Sequence, residues 1–229
     1  PGRLPAFVDA ARLLNIRGCS ITIPHKIDII PLLDKTSENV REMGACNTLY
    51  RDGEKICGEN TDVIGFTAPL RKRSLPPETR VLVLGAGGVS RAAIAGLRRL
   101  GLANITLTNR RKERAEALCN EFGLLCAPWE ERGDVPADLI INTTPLGMTG
   151  AQEHETPYPR AFQDNGIAYD LIYTPFQTRF LRDAAAAGWE TVSGLDMFIG
   201  QGDAQFHLWT GHHLPEEAIT AGTSALYGQ

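Results

Sequence analysis

The 229-residue sequence predicts an α/β fold with two domains, the second built on a parallel sheet. From residue 80 onward, short runs of Val, Leu and Ile alternate with helical patterns, which is typical of parallel strands joined by crossover helices. The run "RVLVLG" is apolar throughout, as expected for a strand covered on both faces. Before residue 73 the pattern differs, and "NTLYRDGEKICGENTD" predicts two strands joined by a turn at Asp52-Gly53.

The first block, up to about Arg73, is predicted to contain helices around a short strand and this hairpin. A helical pattern from Ala6 to Leu14 precedes a β-branched strand, Cys19–Ile23. The stretch "PHKIDIIPLLD" predicts the start of a helix, because proline suits a first helical turn. "VIGFTAPLRKR" predicts a helix that ends at Arg73, and "SLPPET" follows, with Pro76-Pro77 as a candidate linker or hinge.

The second block alternates strands with helices. Its predicted strands are "RVLVLG", "ITLTN", a short segment at Leu124–Ala127, "DLIIN", "IAYDL" and "ETVSG". Its predicted helices run from Val89 to Leu100, over 111–122 and over 177–187. A helical tail extends from Met197 to Leu226, with an interruption at "GHHLP".

The composition excludes several classes of function. The net charge is −4, whereas a nucleic-acid surface usually has a basic balance. No apolar run approaches the roughly 18 residues of a membrane helix, and the first 14 residues lack the layout of a signal peptide. The five cysteines are odd in number and form no CxxC pair, which predicts reduced thiols in a cytoplasmic protein and no metal site.

A glycine-rich loop follows the first strand of the second block. In "VLVLGAGGVSRAA", Gly85, Gly87 and Gly88 allow a sharp turn and a close backbone approach to a phosphate. The following helix offers free N–H groups and the positive end of its dipole. Ser90 stands where the dinucleotide motif has its third glycine, so the match is imperfect. The preceding strand and following helix nevertheless favour a dinucleotide site over a plain tight turn.

The end of the next strand indicates which dinucleotide is bound. An NAD-type fold usually has an acid there for the ribose 2′-hydroxyl. Here "ITLTNRRKER" offers Asn109, Arg110 and Arg111, with Arg114 further on. Guanidinium groups suit a 2′-phosphate, so NADP (NADPH) is predicted rather than NAD. The alternative, a solvated basic helix start, places cations at the unfavourable end of a helix dipole.

Polar residues follow three predicted strands of the first block: Lys26, then Asn47 and Thr48, then Asn60, Thr61 and Asp62. Because strand ends line the cleft of an open α/β sheet, Lys26 and Asp62 are predicted to meet. A lysine held by a carboxylate supplies the proton that a ketone needs when a nicotinamide delivers hydride to it. A weak surface ion pair and simple helix capping by Asn and Asp remain open as alternatives.

Taken together, eight motifs in order resemble those of the shikimate dehydrogenase family. They are "SITIPHK", "GACNT", "GENTDVIGF", "VLGAGGVSRAA", "TNRRKERAEAL", "INTTPLGM", "YDLIYTP" and "GLDMFIGQGDAQFHLWTG", and they span nearly the whole chain. The resemblance implies NADP-dependent interconversion of 3-dehydroshikimate and shikimate. It also implies two α/β domains around a cleft: a substrate-binding domain at 1–66 plus 198–229, and a Rossmann domain that binds NADP at 67–197.

The resemblance also implies roles for individual residues. Lys26 and Asp62 would be the catalytic pair. The substrate ring would be held by Thr22, Asn47, Thr61 and Gln201, with Tyr173 beside it. Besides the three glycines, the cofactor would meet Asn109, Arg110, Arg114, Thr143, Leu171, Gly194 and Met197.

Three features depart from the family pattern. The family's first strand and the serine loop that binds the substrate carboxylate are expected to be missing from this sequence. Ser20 stands where Asn is commoner, and Asp196 replaces a frequent glycine.

Three functions therefore remain open. The main hypothesis is a cytoplasmic shikimate dehydrogenase, a monomer or homodimer that acts on a small molecule without nucleic acid or membrane. A quinate/shikimate paralogue is the first alternative. A non-catalytic NADP-binding fragment or regulator is the second, although the presence of both Lys26 and Asp62 favours an enzyme.

Overall fold

The computed structural model describes residues 2–22 and 24–227, and the chain divides into two compact units. The first unit comprises 1–65 and 199–229, and the second comprises 66–198. The predicted hinge at Pro76-Pro77 is therefore not at the division but inside the second unit. Phe66 and Leu70 belong to the second unit's core and Leu75 packs against it, so the segment before the prolines is fixed there.

The first unit contains a four-stranded sheet in the order β1-β3-β4-β2. These strands are β1 (Gly18–Ser20), β2 (Lys35–Thr36), β3 (Thr48–Asp52) and β4 (Lys55–Glu59). Strands β3 and β4 form the predicted hairpin, but the pair Asp52 and Lys55 makes Gly53-Glu54 the turn, one residue later than expected. Gly53 has φ +59°, which a glycine adopts without steric strain. The strand expected at Cys19–Ile23 ends at Ser20, and Ile23 lies outside the described residues.

The unit also contains helical segments. They are α1 (Leu4–Leu13), α2 (Glu38–Met43), the start of α3 (Asp62–Arg71), the later part of α7 (Gly194–Thr210) and α8 (Glu216–Tyr227). The buried apolar core draws on α1, α2, β3, β4 and the segments that connect them, and it comprises Val8, Ile21, Ile29, Val40, Cys46, Leu49 and Ile56. Helix α7 is also tied to the sheet, because the indole Nε1 of Trp209 donates to the Leu49 carbonyl at 2.9 Å.

The helix expected from "PHKIDIIPLLD" is wrong. This segment consists of turns followed by one 3₁₀ turn, Ile30–Leu32. Among the described residues of this segment, which exclude Ile23, one bond has α-helical spacing, from the Ile29 N–H to the His25 carbonyl. Pro31 has no N–H to continue such a series, and Asp34 instead pairs with Ile56 through its backbone N–H and its carboxylate.

The second unit is a doubly wound sheet of six parallel strands, as predicted, in the order β10-β9-β8-β5-β6-β7. The strands are β5 (Val81–Leu84), β6 (Ile105–Thr108), β7 (Leu125–Cys126), β8 (Leu139–Asn142), β9 (Ile167–Asp170) and β10 (Glu190–Val192). The helices are α4 (Gly88–Arg99), α5 (Lys112–Phe122) and α6 (Arg179–Ala186), with most of α3 and the start of α7. All four residues of β5 and of β8 are buried, which explains the apolar sequence of β5 and of the first three residues of β8, before Asn142.

A buried carboxylate lies at the carboxyl end of β9. Asp170 is fully buried, and its Oδ1 accepts from the Ile172 N–H and from Asn142 Nδ2, each at 3.0 Å. Its Oδ2 accepts from the Thr178 hydroxyl at 2.6 Å. Burial raises the pKa of Asp170 to about 7, because these three hydrogen bonds to the ionised form offset only part of the desolvation.

We expect Asp170 to make the free energy of unfolding depend on pH. A carboxyl whose pKa is higher in the folded state stabilises the fold fully below its unfolded pKa, near 3.8, and this contribution is lost as pH rises to about 7. At roughly 1.4 kcal/mol per pKa unit, the loss is about 4 kcal/mol. Urea unfolding between pH 4 and 8 should show this decline in the parent protein, and Asp170→Asn should remove it.

Asp164→Asn is the matched control, because Asp164 is an exposed aspartate in the loop before β9. This control should keep the parent's decline. An Asp170→Asn protein with the same decline as the parent would contradict the assignment.

Candidate functional site

The first unit brings Lys26 and Asp62 together, as the sequence predicts. Lys26 lies in the turns after β1, and Asp62 is the first residue of α3. The Lys26 Nζ lies 2.8 Å from the Asp62 Oδ2, which is a charge-assisted hydrogen bond. The two side chains are 29% and 22% exposed, so the pair is partly shielded from water yet open to a ligand.

Asn47 holds the other oxygen of this carboxylate. Its Nδ2 donates to the Asp62 Oδ1 at 2.8 Å. Its Oδ1 accepts from the Thr61 N–H at 2.8 Å and from the Thr48 hydroxyl at 2.7 Å. Only 3% of Asn47 is exposed, so every polar atom of its amide has a protein partner in a mostly dry setting. The orientation of Asp62 is thereby fixed before any ligand binds.

The remaining predicted substrate residues of the first unit differ in accessibility. Thr61 is fully buried and bonds Asn47 through its N–H and its hydroxyl. Thr22 is exposed and lines a cavity of about 350 Å³, together with Ser20 and His25. Gln201 lies half-buried on α7.

The glycine-rich loop of the second unit packs closely against the segment after β8. Gly85 has φ +118°, and a Cβ there would lie 2.4 Å from the Thr143 hydroxyl oxygen, so only glycine fits. Ser90 explains the imperfect third position. Its buried hydroxyl oxygen accepts from the Gly87 N–H at 2.9 Å and lies 2.7 Å from the Thr143 Oγ1. Gly87 precedes the first residue of α4, Gly88.

A cavity of about 240 Å³ adjoins this loop. The predicted residues that line it are Gly85, Gly87, Asn109, Arg110, Arg114 and Thr143, and Arg111 lines it as well. The Asn109 Oδ1 accepts from the Ala86 N–H at 3.3 Å, which links the loop to the end of β6. Arg110, Arg111 and Arg114 are exposed, and none of the three forms an ion pair with a described residue.

This cavity fits the phosphate end of a dinucleotide. A Cβ-free turn at Gly85, the N-terminus of α4 and three unpaired guanidinium groups together favour a multiply charged anion. Five further lining residues were not assigned a role from the sequence: Trp129, Thr144, Pro145, Leu146 and Gln152. Trp129 begins a 3₁₀ turn, and the other four lie in segments without a periodic pattern.

Other predicted cofactor residues do not line this cavity. Gly88 is absent from its lining, and so are Leu171, Gly194 and Met197. The Met197 side chain is buried in the core of the second unit, and Leu171 packs against that core. Gly194 allows a close approach, since a Cβ there would lie 2.5 Å from the Ile172 carbonyl. Tyr173 is 43% exposed, and its ring stacks on that of Phe198.

Residues 2–22 and 24–227 contain no group of three or more His, Cys, Asp or Glu side chains suited to a metal ion. All five cysteines are free thiols. Burial raises the pKa of Cys46 to about 11, so this thiol stays protonated near neutral pH.

No helix among the described residues is long and apolar enough to cross a membrane.

Three family models match the chain. "Shikimate dehydrogenase substrate binding domain" matches residues 1–49, "Shikimate / quinate 5-dehydrogenase" matches 70–131, and "Shikimate 5'-dehydrogenase C-terminal domain" matches 194–221.

Individual relatives are similar over nearly the full chain. The shikimate dehydrogenase (NADP(+)) of Pelobacter propionicus is 55% identical over 99% of this chain and 83% of that protein. The shikimate 5-dehydrogenase of Thermus thermophilus, solved with NADP(H) and shikimate, is 36% identical over 97% of this chain and 83% of that one, with a TM-score of 0.84. The quinate dehydrogenase of Corynebacterium glutamicum, solved with NAD, is 30% identical over 97% and 82%, with a TM-score of 0.84. This chain therefore belongs to the shikimate/quinate dehydrogenase family.

Proposed function

We propose that this chain catalyses the reversible, NADPH-dependent reduction of 3-dehydroshikimate to shikimate, a step of aromatic amino acid biosynthesis. One observation carries the proposal. Lys26 and Asp62 form a 2.8 Å ion pair that remains partly open to a ligand, while Asn47 holds the carboxylate from behind. A surface ion pair would not need a buried amide to orient it. The identity of 55% to a shikimate dehydrogenase (NADP(+)) supports the substrate and the cofactor.

Lys26 and Asp62 would manage the proton of this reaction. Bound NADPH supplies the hydride that becomes the new C–H bond of the alcohol. The carbonyl oxygen then carries negative charge and needs a proton, which the Lys26 ammonium would donate. The Asp62 carboxylate, 2.8 Å away, would hold the ammonium in place and stabilise its charge. In the reverse direction, neutral Lys26 would take the hydroxyl proton.

Residues of both units would bind the reactants. Thr22, Asn47 and Gln201 would contact the hydroxyls of the ring, Tyr173 would lie beside it, and the buried Thr61 would act through Asn47. The domain at 1–66 plus 198–229 would bind the substrate, and the domain at 67–197 would bind NADP. Gly85, Gly87 and Gly88 would hold the pyrophosphate, and Asn109, Arg110 and Arg114 the 2′-phosphate. Further contacts along the cofactor toward the nicotinamide, through backbone atoms or side-chain packing, would come from Thr143, Leu171, Gly194 and Met197.

A quinate dehydrogenase is the second candidate, because one solved relative is a quinate dehydrogenase with NAD. Three guanidinium groups around the cavity favour NADP over NAD, and so favour the first candidate. A monomer or homodimer in the cytoplasm, without nucleic-acid or membrane partners, completes the proposal.

The direct test follows NADPH absorbance while the purified chain is offered shikimate or quinate, each with NADP⁺ or NAD⁺. The proposal expects the highest kcat/KM for shikimate with NADP⁺. Preference for quinate with NAD⁺ would favour the second candidate. Tight NADP⁺ binding without turnover of either acid would instead indicate a cofactor-binding regulator.

Replacement of Lys26 should remove the proton donor. We expect Lys26→Met to lower kcat for shikimate by about 10²–10⁴-fold, the usual effect of losing one general acid–base group. Calorimetry should show unchanged NADP⁺ affinity, because the cofactor cavity belongs to the second unit. Lys35→Met, at an exposed lysine of the first unit, should keep the parental kcat. Full turnover by Lys26→Met would exclude the proposed role.

Replacement of Arg110 and Arg114 should change the choice of cofactor. We expect Arg110→Ala with Arg114→Ala to weaken NADP⁺ binding by about 100-fold, because a charge-assisted hydrogen bond contributes roughly 1.5–3 kcal/mol. NAD⁺ lacks the 2′-phosphate, so its affinity should change little. Arg160→Ala is the control, since Arg160 pairs with Asp134 elsewhere in the second unit. Equal losses for NADP⁺ and NAD⁺ would contradict the assignment.

A further inference from the structure

We propose that Gln205, on α7, is a positioning residue for the reaction: it fixes the direction of the hydrogen bonds that orient Asn47, and through Asn47 the Lys26–Asp62 pair. Gln205 touches neither Lys26 nor Asp62. The inference rests on the proposed function, because it assigns a role within the same site.

Gln205 is almost fully buried, with 6% of its surface exposed, and all of its amide is used. Its Nε2 donates to the Thr48 hydroxyl oxygen at 2.9 Å and to the Asn47 carbonyl at 3.3 Å. Its Oε1 accepts from the Ser20 hydroxyl at 2.8 Å. A buried polar side chain in a helix is costly unless it is paired, so this amide is placed for these three contacts.

The hydrogen bonds run in one direction only. Because Gln205 donates to the Thr48 oxygen, the Thr48 proton is free to donate to the Asn47 Oδ1, at 2.7 Å. The Asn47 oxygen must then face Thr48, and its Nδ2 must face Asp62. An amide rotated by 180° would place a carbonyl oxygen against the carboxylate. The Thr61 backbone N–H can only donate, so it requires the same orientation of the Asn47 amide. Gln205 reinforces this orientation through one intervening side chain, that of Thr48.

Ser20 completes this series of contacts. Its hydroxyl donates to the Gln205 Oε1, which leaves the Gln205 amide nitrogen on the side of Thr48. This contact gives a physical reason for a small hydroxyl at position 20. Ser20 and Gln205 together form the end of the series of hydrogen bonds that leads through Thr48 to Asn47.

Two variants of Gln205 separate polarity from packing. Gln205→Met keeps the volume and removes every polar contact. Gln205→Glu keeps the size and accepts from Ser20, but it cannot donate, so Thr48 must turn its proton toward the new carboxylate and away from Asn47. A role in packing alone predicts that Met, which keeps the volume without burying a charge, is tolerated. The proposed role predicts that both disturb Asn47.

Trp209→Phe is the matched control. Trp209 lies one turn later on α7 and, like Gln205, donates from its side chain to β3. Its acceptor is the Leu49 carbonyl, which is not part of the series that ends at Asp62. This variant should lower stability and leave the pH profile of the reaction unchanged.

The experiment measures kcat and KM for shikimate and NADP⁺ across pH for the parent and the three variants. We expect both Gln205 variants to lower kcat about 10-fold, as for a small misplacement of a catalytic group. The pH dependence of kcat should differ from that of the parent, because Asn47 no longer holds the Asp62 carboxylate in one orientation. The KM for NADP⁺ should not change. A parental pH profile in both variants would overturn the proposal.

A double-variant cycle tests the route through Thr48. Thr48→Val removes the hydroxyl at nearly constant shape, so the effects of Thr48→Val and Gln205→Met on kcat should be strongly non-additive. Additive effects would show that Gln205 does not act through Thr48, and would overturn the proposed route.

A readout without substrate keeps this proposal separate from the proposed function. The side-chain amide resonances of Asn47 are assigned with Asn47→Asp. We expect one sharp pair in the parent and in Trp209→Phe, and a broadened or doubled pair in Gln205→Met, where the amide no longer has a single orientation. If the parent fails to oxidise shikimate, the proposed function fails, whereas these resonances still decide whether Gln205 orients Asn47. A single sharp pair in Gln205→Met, as in the parent, would reject the positioning role.

Discussion

The amide of Asn47 imposes the main constraint on the first unit. An amide has a donor end and an acceptor end, and here the donor end faces Asp62 while the acceptor end receives the Thr61 N–H and the Thr48 hydroxyl. These partners come from β3 and from the start of α3, so one buried side chain relates two elements that are distant in sequence. The orientation of Asp62, and with it the position of Lys26, follows from this arrangement.

In the second unit, buried polar contacts likewise hold a binding site in place, here the proposed phosphate site. A phosphate site needs exposed backbone N–H groups at a close approach of two loops, and Gly85 permits this approach to Thr143. The Ser90 hydroxyl then holds the turn through Gly87 and Thr143. The charged arginines remain outside this rigid base. In each unit, therefore, hydrogen bonds among polar groups fix the positions of the residues that are proposed to contact the reactants.

The sequence predicted the second unit closely, because buried parallel strands give uninterrupted apolar runs and the helices between them are amphipathic. It failed at 24–34, where Pro31 limits the chain to turns, and at Pro76-Pro77, where Leu70 and Leu75 fix the segment in the second unit's core. It predicted the meeting of Lys26 with Asp62 but missed Gln205, because one polar residue in a helix gives no periodic signal. Contacts such as those from Trp129 and Gln152 depend on how irregular loops fold.

The most direct test of the proposed proton transfer is a crystal structure of Lys26→Met with NADP⁺ and shikimate. The decisive quantity is the distance between the hydroxyl oxygen that is oxidised and the Asp62 carboxylate, with the substituted side chain marking the place of the ammonium. The account predicts an oxygen within about 3 to 4 Å of both, since a bridging lysine must reach the two by hydrogen bonds. An oxygen bound elsewhere, out of reach of the side chain at position 26, would contradict it.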